Sequence, residues 1–366
     1  MKYILPFVLA TLLASCTSSV ESVKTPVKPS NIIFLIGDGM GLSAISTTVY
    51  YGDEVSEFGR FKEIGLIRTS SATHKITESS ASATAMASGN KTYNGAIGVD
   101  TAKMAMQNIT ELLAGLGWNT GVVATSTITH ATPASFYAHV DNRRKEEEIA
   151  AQLLESGIDF FAGGGIALFN KRSDGADLLK TAGEKGFTMD TTALAEPGSL
   201  SADQKYGFLL APGSMPPITE GRGEFLPKAT SLAIEQLSKG NNEFFLIVEG
   251  SQIDWGGHAN NVDYVVTETL DFEKAVAVAL DFAKADGNTL VVVTADHETG
   301  GFTLGARQDE ATGYSDYVNI GPTFATNTHS ASLIPVFAYG PGAEQFKGLY
   351  ENTEIFTKMV ELTTGE

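Results

Sequence analysis

Asn31-Ile32-Ile33-Phe34-Leu35-Ile36-Gly37-Asp38-Gly39 sets an unbroken apolar run against a Gly-Asp-Gly turn. A run with no polar alternation reads as a strand covered on both faces, the normal situation in a mainly parallel sheet. Working outward, β-branched apolar runs recur at residues 120–124, 244–249, 290–294 and 334–339, with helical patterns between them, for example at 142–156 and 267–285. Alternating strands and helices predict right-handed crossovers and an α/β fold, a three-layer α/β/α sandwich with a large, mainly parallel, doubly wound sheet. Residues 163–227, rich in Gly and Pro, read as the least regular part, carrying surface loops. No internal repeat or second-domain linker interrupts the pattern, so residues 31–366 read as a single domain.

Four of these runs lead straight into polar clusters. Gly37-Asp38-Gly39 follows the first, and residues 125–132 follow the second. Glu249 ends another, with Asp254 and His258 just beyond it, and Thr294-Ala295-Asp296-His297-Glu298 closes the fourth. In open α/β sheets ligands bind outside the carboxyl ends of the strands, so these polar residues are expected along one edge of the sheet.

Charge limits what that edge can bind. The chain of 366 residues has 25 basic and 43 acidic side chains, a net charge of −18. Such a chain has no basic field to displace counterions from a nucleic-acid backbone, which excludes nucleic acid as a partner. An anionic small substrate would need a locally positive cleft.

The amino terminus speaks to compartment. Met1-Lys2 is positive, residues 4–13 are apolar but too few to span a bilayer, and Leu13-Ala14-Ser15-Cys16 follows. This end resembles the lipobox of bacterial lipoproteins, where the Cys carries the lipid; a simple cleaved signal is the alternative. Residues 1–16 therefore read as a lipoprotein-type signal segment and 17–30 as a flexible tether. Export to the periplasm follows, with a membrane anchor if Cys16 is lipidated. Cys16 is the only cysteine, so any metal must be held by oxygen and imidazole.

Taken singly, the polar residues have ordinary readings. Asp38 between glycines suits an Asx turn, Asp254 and His258 share a helical face at i, i+4, and His329 is unremarkable. Glu249 at the end of an apolar strand would be costly to bury unpaired. Together, carboxylates and imidazoles converging without thiolate suit Zn2+ and Mg2+, and bound cations would make the cleft positive. A further segment, Thr77-Glu78-Ser79-Ser80-Ala81-Ser82-Ala83-Thr84-Ala85-Met86-Ala87-Ser88-Gly89, reads as a helix closed by Gly89. Ser79 at its start is either a nucleophile, favoured by free N–H groups and the helix dipole, or, with Ser80, a plain N-cap.

These segments, with Lys91-Thr92-Tyr93-Asn94-Gly95-Ala96-Ile97-Gly98 and Thr132-Pro133, His139 and Arg143, resemble the alkaline phosphatases in content and order from Asn31 to about Gly342. The resemblance implies hydrolysis of small phosphate monoesters through a phosphoserine at Ser79, with two Zn2+ and one Mg2+ per subunit. By the same comparison Asp254, His258 and His329 hold one zinc, while Asp38, Asp296 and His297 hold the other. Asp38 also bridges to a magnesium held by Thr132 and Glu249, Arg143 clamps the phosphate, and a homodimer is implied. His139 and His74 have no metal role in the comparison.

Three residues depart from the best-known bacterial pattern. Glu78 stands where Asp is usual and is expected to displace the support of Arg143 by one methylene. His130 stands near the magnesium where some members have Asp, and Trp255 replaces a Lys or His near the phosphate. Short gaps between motifs imply that the accessory crown of larger members is absent. A phosphodiesterase or sulfatase of the same superfamily, or a phosphate-binding lipoprotein without turnover, remains open. A comparison of monoester and diester turnover separates them.

Overall fold

The computed structural model of the protein describes residues 2, 3, 28–240 and 242–365. The expected signal segment with Cys16, and the tether up to residue 27, lie outside the described residues. Among those residues, no helix is long and apolar enough to cross a membrane.

Fourteen strands are formed among the described residues. They are β1 (Asn31–Gly37), β2 (Glu63–Arg68), β3 (Asn119–Thr127), β4 (Phe160–Gly164), β5 (Phe187–Asp190), β6 (Lys205–Leu209) and β7 (Phe244–Gly250). The rest are β8 (Thr289–Thr294), β9 (Glu298–Thr299), β10 (Thr303–Gln308), β11 (Ser315–Thr323), β12 (His329–Ser330), β13 (Ile334–Tyr339) and β14 (Gly348–Glu351). Ten of them make one sheet in the order β14-β2-β13-β8-β1-β7-β3-β4-β6-β5. Only β13 runs against the others, pairing antiparallel with β8 and β2. Every residue of β1, β7 and β8 is buried, as an apolar run covered on both faces requires. Asn31 ties their beginnings together: its Nδ2 donates to Thr289 Oγ1 (3.1 Å) and its Oδ1 accepts from the Phe244 N–H (3.2 Å).

Helices cover both faces of this sheet. Val262–Asp286 lies across β1, β7 and β8 and packs on Phe225–Leu237, while Ser79–Ser88 packs on Ala131–Ala134 and Thr353–Thr364. All ten residues of Ser79–Ser88 are buried. They are all Ser, Ala and Thr apart from Met86, which allows close approach of the neighbouring helices.

Sequence expectation and structure differ at element boundaries. The helix expected over 142–156 is Glu146–Leu153, because Asn142 turns the chain, its Oδ1 accepting from the Arg144 N–H, while the Arg143 N–H goes to Gly95 O. The helix expected over 267–285 starts earlier, at Val262, where Asn261 Oδ1 accepts from the Tyr264 N–H. The stretch 163–227 is more regular than its composition implies. It contributes β5 and β6 to the sheet, both short, with Gly207 interrupting the apolar pattern of β6. The hairpin of β10 and β11, largely exposed, was not signalled by alternation.

One buried ion cluster anchors the loop beside the strand ends. Arg222 Nη2 donates to Asp271 Oδ2 (2.8 Å) and Glu268 Oε2 (2.5 Å), with all three side chains almost wholly buried. Glu268 also accepts from the Ile218 N–H (2.9 Å). The preceding part of the loop presents Met215 O to Gln252 Nε2 at 2.7 Å, so the cluster steadies the helix that carries Asp254. Removing one member of such a cluster leaves buried charge uncompensated. Arg222→Leu is expected to lower stability by about 3–5 kcal/mol in urea unfolding; a loss under about 1 kcal/mol would mean the two carboxylates find other partners.

Candidate metal centre and nucleophile

β8, β1, β7 and β3 are adjacent and parallel, and the four polar clusters leave their carboxyl ends side by side. Glu249 sits level with Ile36 of β1 and Ala124 of β3. The expected edge is therefore formed. Three groups of potential metal ligands lie on it, each with ligand atoms within 4.8 Å of one another: Asp254, His258 and His329; Asp38, Asp296 and His297; and Asp38, His130 and Glu249.

In the first group His258 Nε2 and His329 Nε2 face each other at 3.1 Å and lie 3.3 Å and 3.5 Å from Asp254 Oδ1. The opposite nitrogens point at backbone carbonyls, His258 Nδ1 at Asn327 O (2.7 Å) and His329 Nδ1 at Thr77 O (3.0 Å). A carbonyl only accepts, so each Nδ1 carries a proton, and Nε2 is the nitrogen that would offer its lone pair to a cation. Two lone pairs and a carboxylate aimed at one point are the donor set of a cation site. Burial opposes ionisation of Asp254, yet the His329 hydrogen bond and the three neighbouring imidazoles hold its carboxyl well below the usual range.

The second group places His297 Nε2 3.2 Å from Asp296 Oδ2, 3.6 Å from Asp38 Oδ1 and 3.4 Å from Ser79 Oγ. Asp296 is fixed through its other oxygen, which accepts from the Gly39 N–H (3.0 Å) and the His297 N–H (2.9 Å). In the third group Ser251 Oγ (2.5 Å) and Ser126 Oγ (3.1 Å) both donate to Glu249 Oε2. What is left over is informative. Both Asp38 oxygens, Asp296 Oδ2, Glu249 Oε1, Thr132 Oγ1 and His130 Nδ1 are buried without a hydrogen-bond partner. Buried polar atoms rarely go unpaired, and the five oxygens among these cluster in one place with the geometry of ligands. Burial, then the charges of Asp296, Asp254 and Glu249, push the Asp38 carboxyl well up; burial and Asp296 push Glu249 up to about 7. Without cations, the cleft resists carrying its full negative charge.

Each residue expected in the site is on this edge. Asp38 is shared by two groups, as a bridging ligand must be, and Thr132 lies in the short helix Ala131–Ala134 next to His130. The Trp255 ring stands edge-on to His130 at 6.0 Å. His139 lies outside the groups, held between Gly98 O and Glu111 Oε1 at 2.7 Å each, and His74 is exposed. Sequence reasoning missed Ser126 and Ser251, the donors that orient Glu249, although both lie in the polar clusters that follow β3 and β7.

The start of the helix Ser79–Ser88 requires a correction. Neither Ser79 nor Ser80 is the N-cap; Glu78 is. Its Oε1 accepts from Ser80 Oγ (2.5 Å) and from the N–H groups of Ala81 and Gly95 (2.8 Å each), and its Oε2 from the Ser80 N–H (3.2 Å). The N–H groups of Ser80 and Ala81, two of those expected to receive an anion, are therefore taken. Glu78 Oε2 also accepts from Arg143 Nη1 at 2.5 Å, so the longer side chain keeps direct contact rather than displacing it. Arg143 Nη2 lies 3.1 Å from His130 Nε2, and the guanidinium is thus held from two sides. Burial and Arg143 lower the His130 pKa to about 4, which keeps that ring neutral and able to accept. Ser79 Oγ is buried at the helix start, beside the second group.

Burial works against the Glu78 charge, but Arg143, the Ser80 hydroxyl and the two N–H donors outweigh it and lower the pKa to about 2. A depressed carboxylate stabilises the fold above its unfolded pKa, and the contribution fades as pH falls from about 4.5 toward 2. Glu78→Gln would turn an amide N–H₂ toward donors. It is expected to cost about 2–3 kcal/mol at pH 7, with the gap from wild type closing by about pH 2–3 in denaturant titrations. A gap independent of pH would assign the loss to shape instead of charge.

Comparison with known proteins gives the family. The family model for alkaline phosphatase matches residues 29–320 and 305–364. Alkaline phosphatase 4 of Bacillus subtilis is 32% identical, over 88% of this chain and 86% of that protein. The Escherichia coli alkaline phosphatase is 32% identical, over 91% and 86%. The solved alkaline phosphatase of the Antarctic bacterium TAB5 superposes with a TM-score of 0.91 at 55% identity, covering 93% of this chain and 99% of that one. By sequence and by fold alike, the chain belongs to the alkaline phosphatase family.

Proposed function

We propose that this alkaline phosphatase hydrolyses phosphate monoesters through a phosphoserine formed on Ser79. The observation that carries the proposal is the set of unpaired buried oxygens on Asp38, Asp296, Glu249 and Thr132, with Ser79 Oγ at its border. Asp254, His258 and His329 would hold one Zn2+, Asp38, Asp296 and His297 a second, and Asp38, Glu249 and Thr132 a Mg2+, with His130 beside it. Bound there, the ions supply Lewis-acid neutralisation of charge on the phosphoryl oxygens and on the attacking and leaving oxygens.

The protein's own groups supply position. Arg143, oriented by Glu78 and His130, offers its remaining N–H donors to two non-bridging phosphoryl oxygens. Ser79 Oγ loses its proton and attacks phosphorus, the bond to the leaving oxygen breaks, and the alcohol departs after taking a proton. Water then attacks the phosphoserine from the vacated side, releasing inorganic phosphate and restoring the Ser79 hydroxyl. Trp255, next to His130, contributes one neutral donor where a cation would hold phosphate more tightly. On this reading residues 1–16 direct export to the periplasm, with Cys16 lipid-bearing or, alternatively, part of a simple cleaved signal, and the family resemblance implies a homodimer.

Ser79→Ala is expected to abolish the acid-trapped phosphoenzyme and to reduce monoester turnover by at least about 10³-fold, while Ser80→Ala retains the phosphoenzyme. Arg143→Ala is expected to weaken phosphate inhibition with a smaller loss of rate. Label trapped on Ser80, or a diester turned over faster than a monoester, would contradict the proposal.

A further inference from the structure

Thr299 belongs to none of the three ligand groups, yet its hydroxyl touches two of them. It is buried in β9, with Oγ1 2.5 Å from Asp254 Oδ1 and 3.2 Å from His297 Nδ1. Hydrogen-bond polarity settles the direction. An ionised carboxylate only accepts, so the single hydroxyl proton goes to Asp254. The hydroxyl oxygen is then the acceptor for His297, whose Nδ1 must carry its proton. That tautomer leaves the lone pair on Nε2, the nitrogen facing Asp38, Asp296 and Ser79. His258 and His329 receive the same instruction from backbone carbonyls. His297 receives it from a side chain that hands the polarity on to the other group.

The chain around Thr299 is shaped for this contact. A Cβ on Gly39, which has φ +72°, would lie 2.8 Å from Thr299 Oγ1, and one on Gly257 would lie 2.9 Å from Thr299 Cγ2. The Thr299 N–H donates to Gly39 O at 3.2 Å, fixing the backbone. The hydroxyl thus faces the ligands while the methyl packs on Gly257.

We propose that Thr299 is a positioning residue that joins the two zinc groups through one directed chain, from His297 Nδ1–H to Thr299 Oγ1–H to Asp254 Oδ1, setting the tautomer of one ligand and aiming the carboxylate of the other. The proposal rests on reading these groups as zinc sites. Partners of this kind typically change metal affinity by about 10–100-fold when removed.

Two substitutions separate the hydroxyl from the methyl. Thr299→Val keeps the shape and removes the hydroxyl; Thr299→Ser does the reverse. Full-length protein stripped of metal is titrated with zinc against a chromophoric chelator, with thermal melts to confirm folding. Wild type is expected to take two tight zinc ions, Thr299→Ser to stay within about threefold, and Thr299→Val to weaken both sites by about tenfold or more. Wild-type affinity in Thr299→Val, weakening at one site only, or a loss in Thr299→Ser that Thr299→Val lacks would each overturn the proposal. If wild type binds no zinc, the metal reading itself fails. Nitrogen-15 NMR of the metal-free wild type tests the tautomer independently of zinc and of any variant's folding. His297 protonated on Nδ1 supports the chain, and protonation on Nε2 overturns it.

Discussion

Four carboxylates, those of Asp38, Glu249, Asp254 and Asp296, share one buried cleft that holds too few protein donors to satisfy them. Two like charges about 4 Å apart repel by about 4 kcal/mol even at an effective dielectric of 20. The fold meets this in two ways. Around Asp254 three imidazoles carry the burden, and its carboxyl stays ionised; around Asp38 and Glu249 the donors present, Ser251 and Ser126 on Glu249 and the charge of Arg143 on Asp38, fall short of burial, which pushes both up. On the proposed reading a hard cation with oxygen ligands would occupy the second region, and zinc the positions marked by histidines.

The sheet delivers these groups to one place because β8, β1, β7 and β3 are neighbours pointing the same way. Around them the protein uses its polar groups to hold several of the ligands by one atom and leave the other free. Asp296 is fixed through Oδ1 and offers Oδ2; Glu249 is fixed through Oε2 and offers Oε1; His258 and His329 are fixed through Nδ1 and offer Nε2. The helix start obeys the same economy of contacts. Glu78 occupies the N–H groups of Ser80 and Ala81, and the same carboxylate holds Arg143.

Much of this was legible in the sequence, for a physical reason. A strand buried on both faces must be apolar throughout, so β1, β7 and β8 declare themselves, and the polar residues after them can only sit at the sheet's carboxyl edge. Short strands such as β5 and β6 bury too few residues to show a pattern, and the exposed hairpin of β10 and β11 shows none. The capping role of Glu78 escaped because N-cap preference is strongest for short side chains, and nothing local shows that Gly95 folds back upon it; its support of Arg143 was expected only through the resemblance. Thr299 escaped because a hydroxyl gains its role from two partners distant in sequence or in another group, and spacing records neither.

The central claim is that cations complete this cleft. The most direct measurement is metal content by elemental analysis, read alongside the melting temperature of the same samples before and after exhaustive chelation. A bound zinc pair and magnesium in the native protein, a melting temperature lowered by chelation, and its recovery only on adding zinc with magnesium are the results predicted. A metal-free protein that melts at the same temperature as the native one would contradict it, since the unpaired carboxylates would then carry no cost.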